Sequence, residues 1–135
     1  MIINSHKITI VRIRKPSGHN VNNDLQYFGS ALGLFGLRDK DKSCFRIFIE
    51  LLKAAKQKQP ITSDELATRL SLSRGTVVHH LHKLIEAGII IQYKNKYILR
   101  VDNLQTLVEE LQKDILRTTE DLKEIATEID RALGL

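Results

Sequence analysis

The chain has 135 residues, 42% hydrophobic and 27% charged, with one cysteine, no tryptophan and a formal net charge of +5. That length fits one compact domain with an appended element, and the lone Cys44 excludes an intramolecular disulfide and points to a reducing interior. No apolar run reaches the roughly 18–20 residues of a membrane helix, and the start, MIINSHKITIVRIRKP, lacks the apolar core and cleavage site of a signal peptide. A cytoplasmic protein with no membrane partner is expected.

Charge is unevenly spread. Residues 104–135 hold eight acids and four bases, a net −4, which leaves +9 for residues 1–103. A basic body with an acidic tail suggests a polyanionic partner for the body and a different task for the tail.

Residues 7–14, KITIVRIR, are β-branched and bounded by KPSGHN, which predicts a short strand with Lys7, Arg12 and Arg14 protecting its edge. In NNDLQYFGSALGLFG, Asn23 and Gln26 resemble a capping box, and Leu25, Phe28, Leu32 and Phe35 fall at helical spacing, with Gly36 as the stop. DKDKSCFRIFIELLKAAKQKQ reads as a firmer helix with Cys44, Phe45, Phe48, Leu51, Leu52 and Ala55 along one side. Cys44 on that stripe reads as a small buried hydrophobe rather than a reactive thiol.

After a break at QKQP, the capping box from Thr62 to Glu65 opens the helix SDELATRL. SLS is a tight turn, Ser73 can cap the next helix, and that helix runs to Ala87 before Gly88. Two β-prone runs, IIIQY and YILRV, are joined by KNK, where Asn95 tolerates the left-handed conformation of a hairpin turn. From Asp102 onward the chain reads as helix.

Helix, capped helix, tight turn, capped helix and basic hairpin follow one another in the order of a winged helix-turn-helix. Ala67 is small where two helices cross, Val77 plugs the crossing, and Leu66, Leu70, Leu72, Leu81, Leu84 and Ile85 complete a shared core. The stretch LSRGTVVHHLHKLIEAGII resembles the ArsR-type winged-helix regulators, through Ser73, Thr76, Val77, His80, Leu81, Leu84, Ala87 and Gly88. The resemblance spans roughly residues 40–100 and implies a dimeric DNA-binding repressor or activator. Ser71 departs from it, standing where such motifs often place glycine.

With positions 77, 81, 84 and 85 inward, the opposite face carries Arg74, Gly75, Val78, His79, His82 and Lys83. Arg74 is the candidate for reading guanine, since a guanidinium can bond O6 and N7 together. Gly75 would let the backbone approach closely, Ser73 and Thr76 could bind phosphate, and Val78 could meet a thymine methyl. His79 and His82 point the same way as donors, whereas His80 is structural. Lys94 and Lys96 on the wing suit phosphate contacts. Two histidines at i and i+3 fall short of a metal site's three or four ligands, and many ArsR-type proteins sense metals through cysteines or histidines on the recognition region or the terminal helix, but here the terminal helix has neither. No metal and no cofactor is expected. Neither a phosphate-cradling glycine loop nor a nucleophile–base pair is visible, so no enzyme is expected.

Leu104, Val108, Leu111, Ile115, Thr118, Leu122, Ile125, Ile129 and Ala132 are spaced by alternating steps of four and three, a continuous heptad seam. Self-association is its simplest use, through Leu104, Val108, Leu111, Ile115, Leu122, Ile125 and Ile129, with the near end packing on the domain and strand polarity open.

The sequence thus predicts a mostly α fold with a small β-hairpin wing: an N-terminal extension (1–37), a winged helix-turn-helix (38–101) and a long C-terminal dimerisation helix (102–135). The expected function is sequence-specific binding of double-stranded DNA as a homodimeric transcriptional regulator. A winged-helix module for protein partners and an RNA-binding winged helix stand as alternatives. The extension could brace the dimer, extend the DNA contact through Lys7, Arg12, Arg14 and Lys15, or line an effector pocket with Tyr27, Phe28 and Phe35. No small-molecule effector is identified.

Overall fold

The computed structural model describes residues 6–18, 20–36, 39 and 41–135. The described chain is mostly helical, with a small three-stranded antiparallel sheet as the wing and a long C-terminal helix. Helix α1 spans Val21–Ala31, α2 Ser43–Lys56, α3 Ser63–Leu70, α4 Arg74–Glu86 and α5 Leu104–Leu133. Strands β1 (Ile61–Thr62), β2 (Ile90–Tyr93) and β3 (Lys96–Leu99) lie in the order β1-β3-β2.

The core is built around α2. Ile47, Phe48 and Leu51 are completely buried, meeting Leu66 of α3, Val77, Leu81 and Leu84 of α4, and Leu107 of α5 in one cluster with Tyr97 and Leu99 of β3. Leu70, Leu72, Ile85 and Ala67 pack against its margin. Because α2 is covered on more than one side, its apolar arc is wider than a single stripe. Ile47 and Ala54 are buried, while Leu52 and Ala55, read as part of the stripe, are only partly so.

Helix ends are where the structure departs from the sequence reading. Helix α1 begins three residues before the expected cap: Asn20, not Asn23, accepts the N–H of Asn23 at 3.1 Å. It ends at Ala31, and the glycine that closes it is Gly33, not Gly36. Gly33 takes φ +72, its N–H reaches Ser30 O at 3.1 Å and that of Leu34 reaches Gly29 O at 2.8 Å, a Schellman closure. A Cβ on Gly33 would stand 2.8 Å from Thr9 Cγ2, so the position requires glycine twice over. Helix α2 starts with Lys42 in the left-handed region and no cap of its own. Asp39 reaches in instead, accepting the N–H groups of Ser43 at 2.9 Å and Cys44 at 3.0 Å.

Residues 7–14 do not form the expected strand. The Lys7 N–H donates to Glu86 O (2.9 Å) and the Val11 N–H to Ala31 O (2.7 Å), the last residues of α4 and α1. Those carbonyls have no partner within their own helices, and the segment satisfies them rather than joining a sheet edge. Conversely, β1 stands where only the Thr62 cap is expected: Ile61 pairs with Tyr97 and Thr62 with Lys96. In the hairpin, Tyr93 pairs with Lys96, and the positive φ of +57 falls on Lys94 rather than Asn95.

The base of the wing is tied to α5 by charge. Arg100 donates to Asp114 at 2.6 and 3.4 Å and to Gly88 O at 3.4 Å, and Arg117 reaches the same carboxylate at 2.6 Å. The hydrogen bond from Arg100 holds the Asp114 carboxyl below its ordinary range, and in return keeps the guanidinium charged.

The turn between α3 and α4 is left-handed at Ser71, φ 54 and ψ 44, the place where glycine carries no Cβ penalty. Ser71→Gly is expected to raise unfolding stability by about 0.5–1 kcal/mol, relief of the left-handed strain outweighing the added chain entropy. Chemical denaturation would measure it. A loss of stability would mean that the serine hydroxyl contributes more than the backbone strain costs.

Candidate nucleic-acid interface

Helix α4 is positioned from both ends and along one side. Ser73 caps it, its hydroxyl oxygen accepting the Thr76 N–H at 3.1 Å and its hydroxyl donating to Thr76 Oγ1 at 2.8 Å. The helix closes after Ala87, where the Gly88 N–H reaches Ile85 O and the Ile89 N–H reaches Leu84 O, both at 3.0 Å. Val77, Leu81 and Leu84 have no exposed surface at all, which fixes the rotation of the helix about its axis. Arg46 pins the preceding turn by donating to Leu70 O at 2.7 Å.

That rotation leaves Ser73, Arg74, Gly75, His79, His82 and Lys83 exposed, with Thr76 and Val78 half-buried at the margins. The structure therefore brings the sequence-selected side chains of α4 onto one open surface. Arg74 lies 3.7 Å from Asp64 of α3, but both side chains are about three-quarters exposed, so the contact is too solvated to hold the guanidinium. A Cβ on Gly75 would meet nothing within 4 Å. A glycine inside a helix costs up to about 1 kcal/mol relative to alanine, and no neighbour in the chain requires it there.

Beside the helix, Lys94 and Lys96 are exposed at the tip of the wing. Sequence reasoning missed Tyr93, an exposed aromatic whose ring lies 5.6 Å from Lys94 Nζ. Its signal was the strand alternation, which puts Tyr93 and Ile91 on the side away from the buried Ile90.

His80 behaves differently from its neighbours. It is 8% exposed, its Nδ1 is buried without a hydrogen-bond partner, and its ring is 5.4 Å from that of His79. Burial lowers its pKa, the Asp39 carboxylate opposes that shift, and His79 and Lys83 add to it. Asp39 is itself lowered: partial burial works against its charge, but the N–H groups of Cys44 and Ser43 prevail. Cys44 is buried, and its thiol is pushed up to about 11, first by desolvation and then by Asp39, so it is inert at neutral pH. Among the described residues no group of three or more His, Cys, Asp or Glu side chains could hold a metal ion.

Along α5, Leu111 is buried and Leu104 half-buried against the chain's own core, joined by Leu107, which lies off the heptad seam. Ile115 is half-buried, and Val108, Leu122, Ile125 and Ile129 are exposed.

Because His80 titrates lower when folded than when unfolded, the unfolded chain binds the extra proton, and stability falls as pH falls. The contribution of neutral His80 is complete above the unfolded value of about 6.5 and is lost progressively below it. Melting curves from pH 7.5 to 5 should show a decline in midpoint that His80→Gln flattens. An equal decline in both proteins would place the proton uptake elsewhere.

Residues 41–93 match the family model of a helix-turn-helix domain, a stretch that runs from just before α2 to the end of β2. No curated protein and no solved structure matches the chain. Among the described residues no helix is long and apolar enough to cross a membrane. The chain carries a helix-turn-helix domain of winged form, with α4 as its second helix.

Proposed function

We infer that the protein is a sequence-specific, double-stranded-DNA-binding transcriptional regulator that acts as a homodimer. The observation that carries this reading is the open face of α4, where Arg74, His79 and His82 surround a glycine that no neighbour in the chain requires. A helix of this kind enters the major groove with its N-terminal residues against the bases. Arg74 is the base-reading residue, and Gly75 allows the groove wall to come close to the backbone. Ser73 and Thr76 bond phosphate at the helix start, Val78 contacts a thymine methyl at the margin, and His79, His82 and Lys83 donate along the groove. Lys94 and Lys96 lie on the backbone beside it.

Residues 38–101 form the DNA-binding part, 102–135 the dimerisation helix and 1–37 an extension. The match of the recognition segment to the ArsR-type pattern supports a regulator of that kind, here working without the metal ligands typical of it and without catalysis. The seam of α5 joins the copies through Val108, Ile115, Leu122, Ile125 and Ile129, while Leu104 and Leu111, expected on the same seam, pack on the chain's own core, so that two recognition helices meet half-sites about one duplex turn apart.

Fluorescence anisotropy against duplexes from the protein's own upstream DNA, at several salt concentrations, tests the reading. One duplex should bind in clear preference to its shuffled sequence. Arg74→Ala should weaken that preference by about 1–3 kcal/mol, roughly fivefold to 150-fold. Replacing Lys94 and Lys96 by alanine should weaken all duplexes alike and lower the salt slope by about one for each phosphate no longer neutralised. Binding indifferent to sequence and to Arg74, or preference for RNA over the duplex, would overturn the proposal.

A further inference from the structure

Helix α5 leaves its own domain after about three turns. Leu107 and Leu111 are buried in the core, whereas every residue from Leu116 onward is exposed. Leu122, Ile125 and Ile129 are 62%, 58% and 50% exposed, and Val108 at the near end is 45% exposed. These side chains share one stripe along a 30-residue helix. A free apolar stripe of that length in water is a surface that requires a partner.

We propose that the stripe is covered by the same stripe of a second copy running antiparallel, in a register whose facing residues sum to about 240. Thr118 then faces Leu122, Ile115 faces Ile125, and Val108 faces Ala132. The proposal rests on the dimeric reading above and adds the polarity and register.

Three observations carry it. The first is the order of large and small residues. A parallel two-stranded coil stacks each position on its own copy and favours β-branched residues at one core position with leucine at the other. In the free half that second position is occupied by Thr118, Ile125 and Ala132. Parallel pairing would set threonine on threonine and alanine on alanine, leaving thin layers between thick ones, and isoleucine there shifts preference to more strands. Antiparallel pairing gives each small residue a larger partner.

The second is where the free surface lies. The side of α5 bearing Leu107 and Leu111 is occupied by its own domain, but Val108 remains open and Ile115 half-open. The antiparallel partner delivers Ala132 and Ile125 to those two positions, so cover extends from the near end of the helix to the far end. The third is spacing. In this register the two Leu107 anchors stand about 39 Å apart along the coil, at roughly 1.5 Å per residue. That sets the two domains at opposite ends of the coil, far enough apart for each recognition helix to reach its own half-site.

Charge opposes the arrangement at one place. Asp114 is tied to Arg100 and Arg117, and Glu128 to Arg131 at 2.8 Å, but Asp121 falls beside its own copy at the twofold axis. An exposed like-charge pair is a small term beside the burial of several isoleucines and leucines, and it supplies a handle for the test.

Sedimentation of the full-length protein, followed by oxidation of cysteine variants, separates the possibilities; buried Cys44 stays out of the reaction. A Val108→Cys chain mixed with a tagged Ala132→Cys chain should form a mixed disulfide, and Ala132→Cys alone should not link to itself. Self-linkage of Ala132→Cys overturns the antiparallel polarity and leaves the dimer standing. A dimer in which neither linkage forms places the interface away from this seam and also overturns the proposal. A wild-type monomer at micromolar concentration overturns the dimeric reading itself. Asp121→Asn should tighten the dimer about two- to fivefold, and an unchanged affinity would count against the register.

Discussion

The packing of one side of α4 against α2 decides what the remainder of the molecule can do. Val77, Leu81 and Leu84 are sealed against Ile47, Phe48 and Leu51. Burying each such side chain fully is worth about 1.5–3 kcal/mol, so rolling α4 about its axis would forfeit several of them together. That is why the outer face is a rigid presentation and not one of several orientations. The caps reinforce it: Ser73 fixes the first turn, the closure after Ala87 fixes the last, and Arg46 fixes the turn leading in.

The same packing explains the three histidines that crowd α4. They divide between its two sides. His79 and His82 stand on the solvent side, three residues apart, while His80 turns inward beside Asp39 and the start of α2. A polar ring in that position gains nothing from solvent, and its unpartnered Nδ1 is a cost. The cluster thus divides into two exposed rings and one buried ring.

What could be read in advance follows the range of the forces concerned. The order of helices, the Thr62 cap and the Ser73 cap were legible because caps and periodicity depend on residues three or four apart. The inward residues of α4 were legible for the same reason. The Asp39 cap was not, because it acts from four residues before α2 and depends on Lys42 turning left-handed. Nor were the fate of residues 7–14 or the existence of β1. One was decided by the unpaired carbonyls at the ends of α4 and α1, the other by β3 passing beside Ile61. For the candidate interface, the residue types were legible on α4, but Tyr93 needed the register of the hairpin.

The junction between the helix-turn-helix body and the long helix rests on two unequal supports. Leu107 and Leu111 bring apolar burial of about 1.5–3 kcal/mol each, which is insensitive to small rotations of α5. The Arg100–Asp114 bond, partly buried, is worth on the order of 2 kcal/mol and is directional, so it selects the angle at which α5 departs. Asp114 titrates below its ordinary range because of Arg100, so its contribution is present above pH about 4 and is lost only as pH falls further. His80 loses its contribution in a higher window, beginning near 6.5. Mild acid therefore weakens the seat of α4 at a pH where the clasp on α5 is still intact.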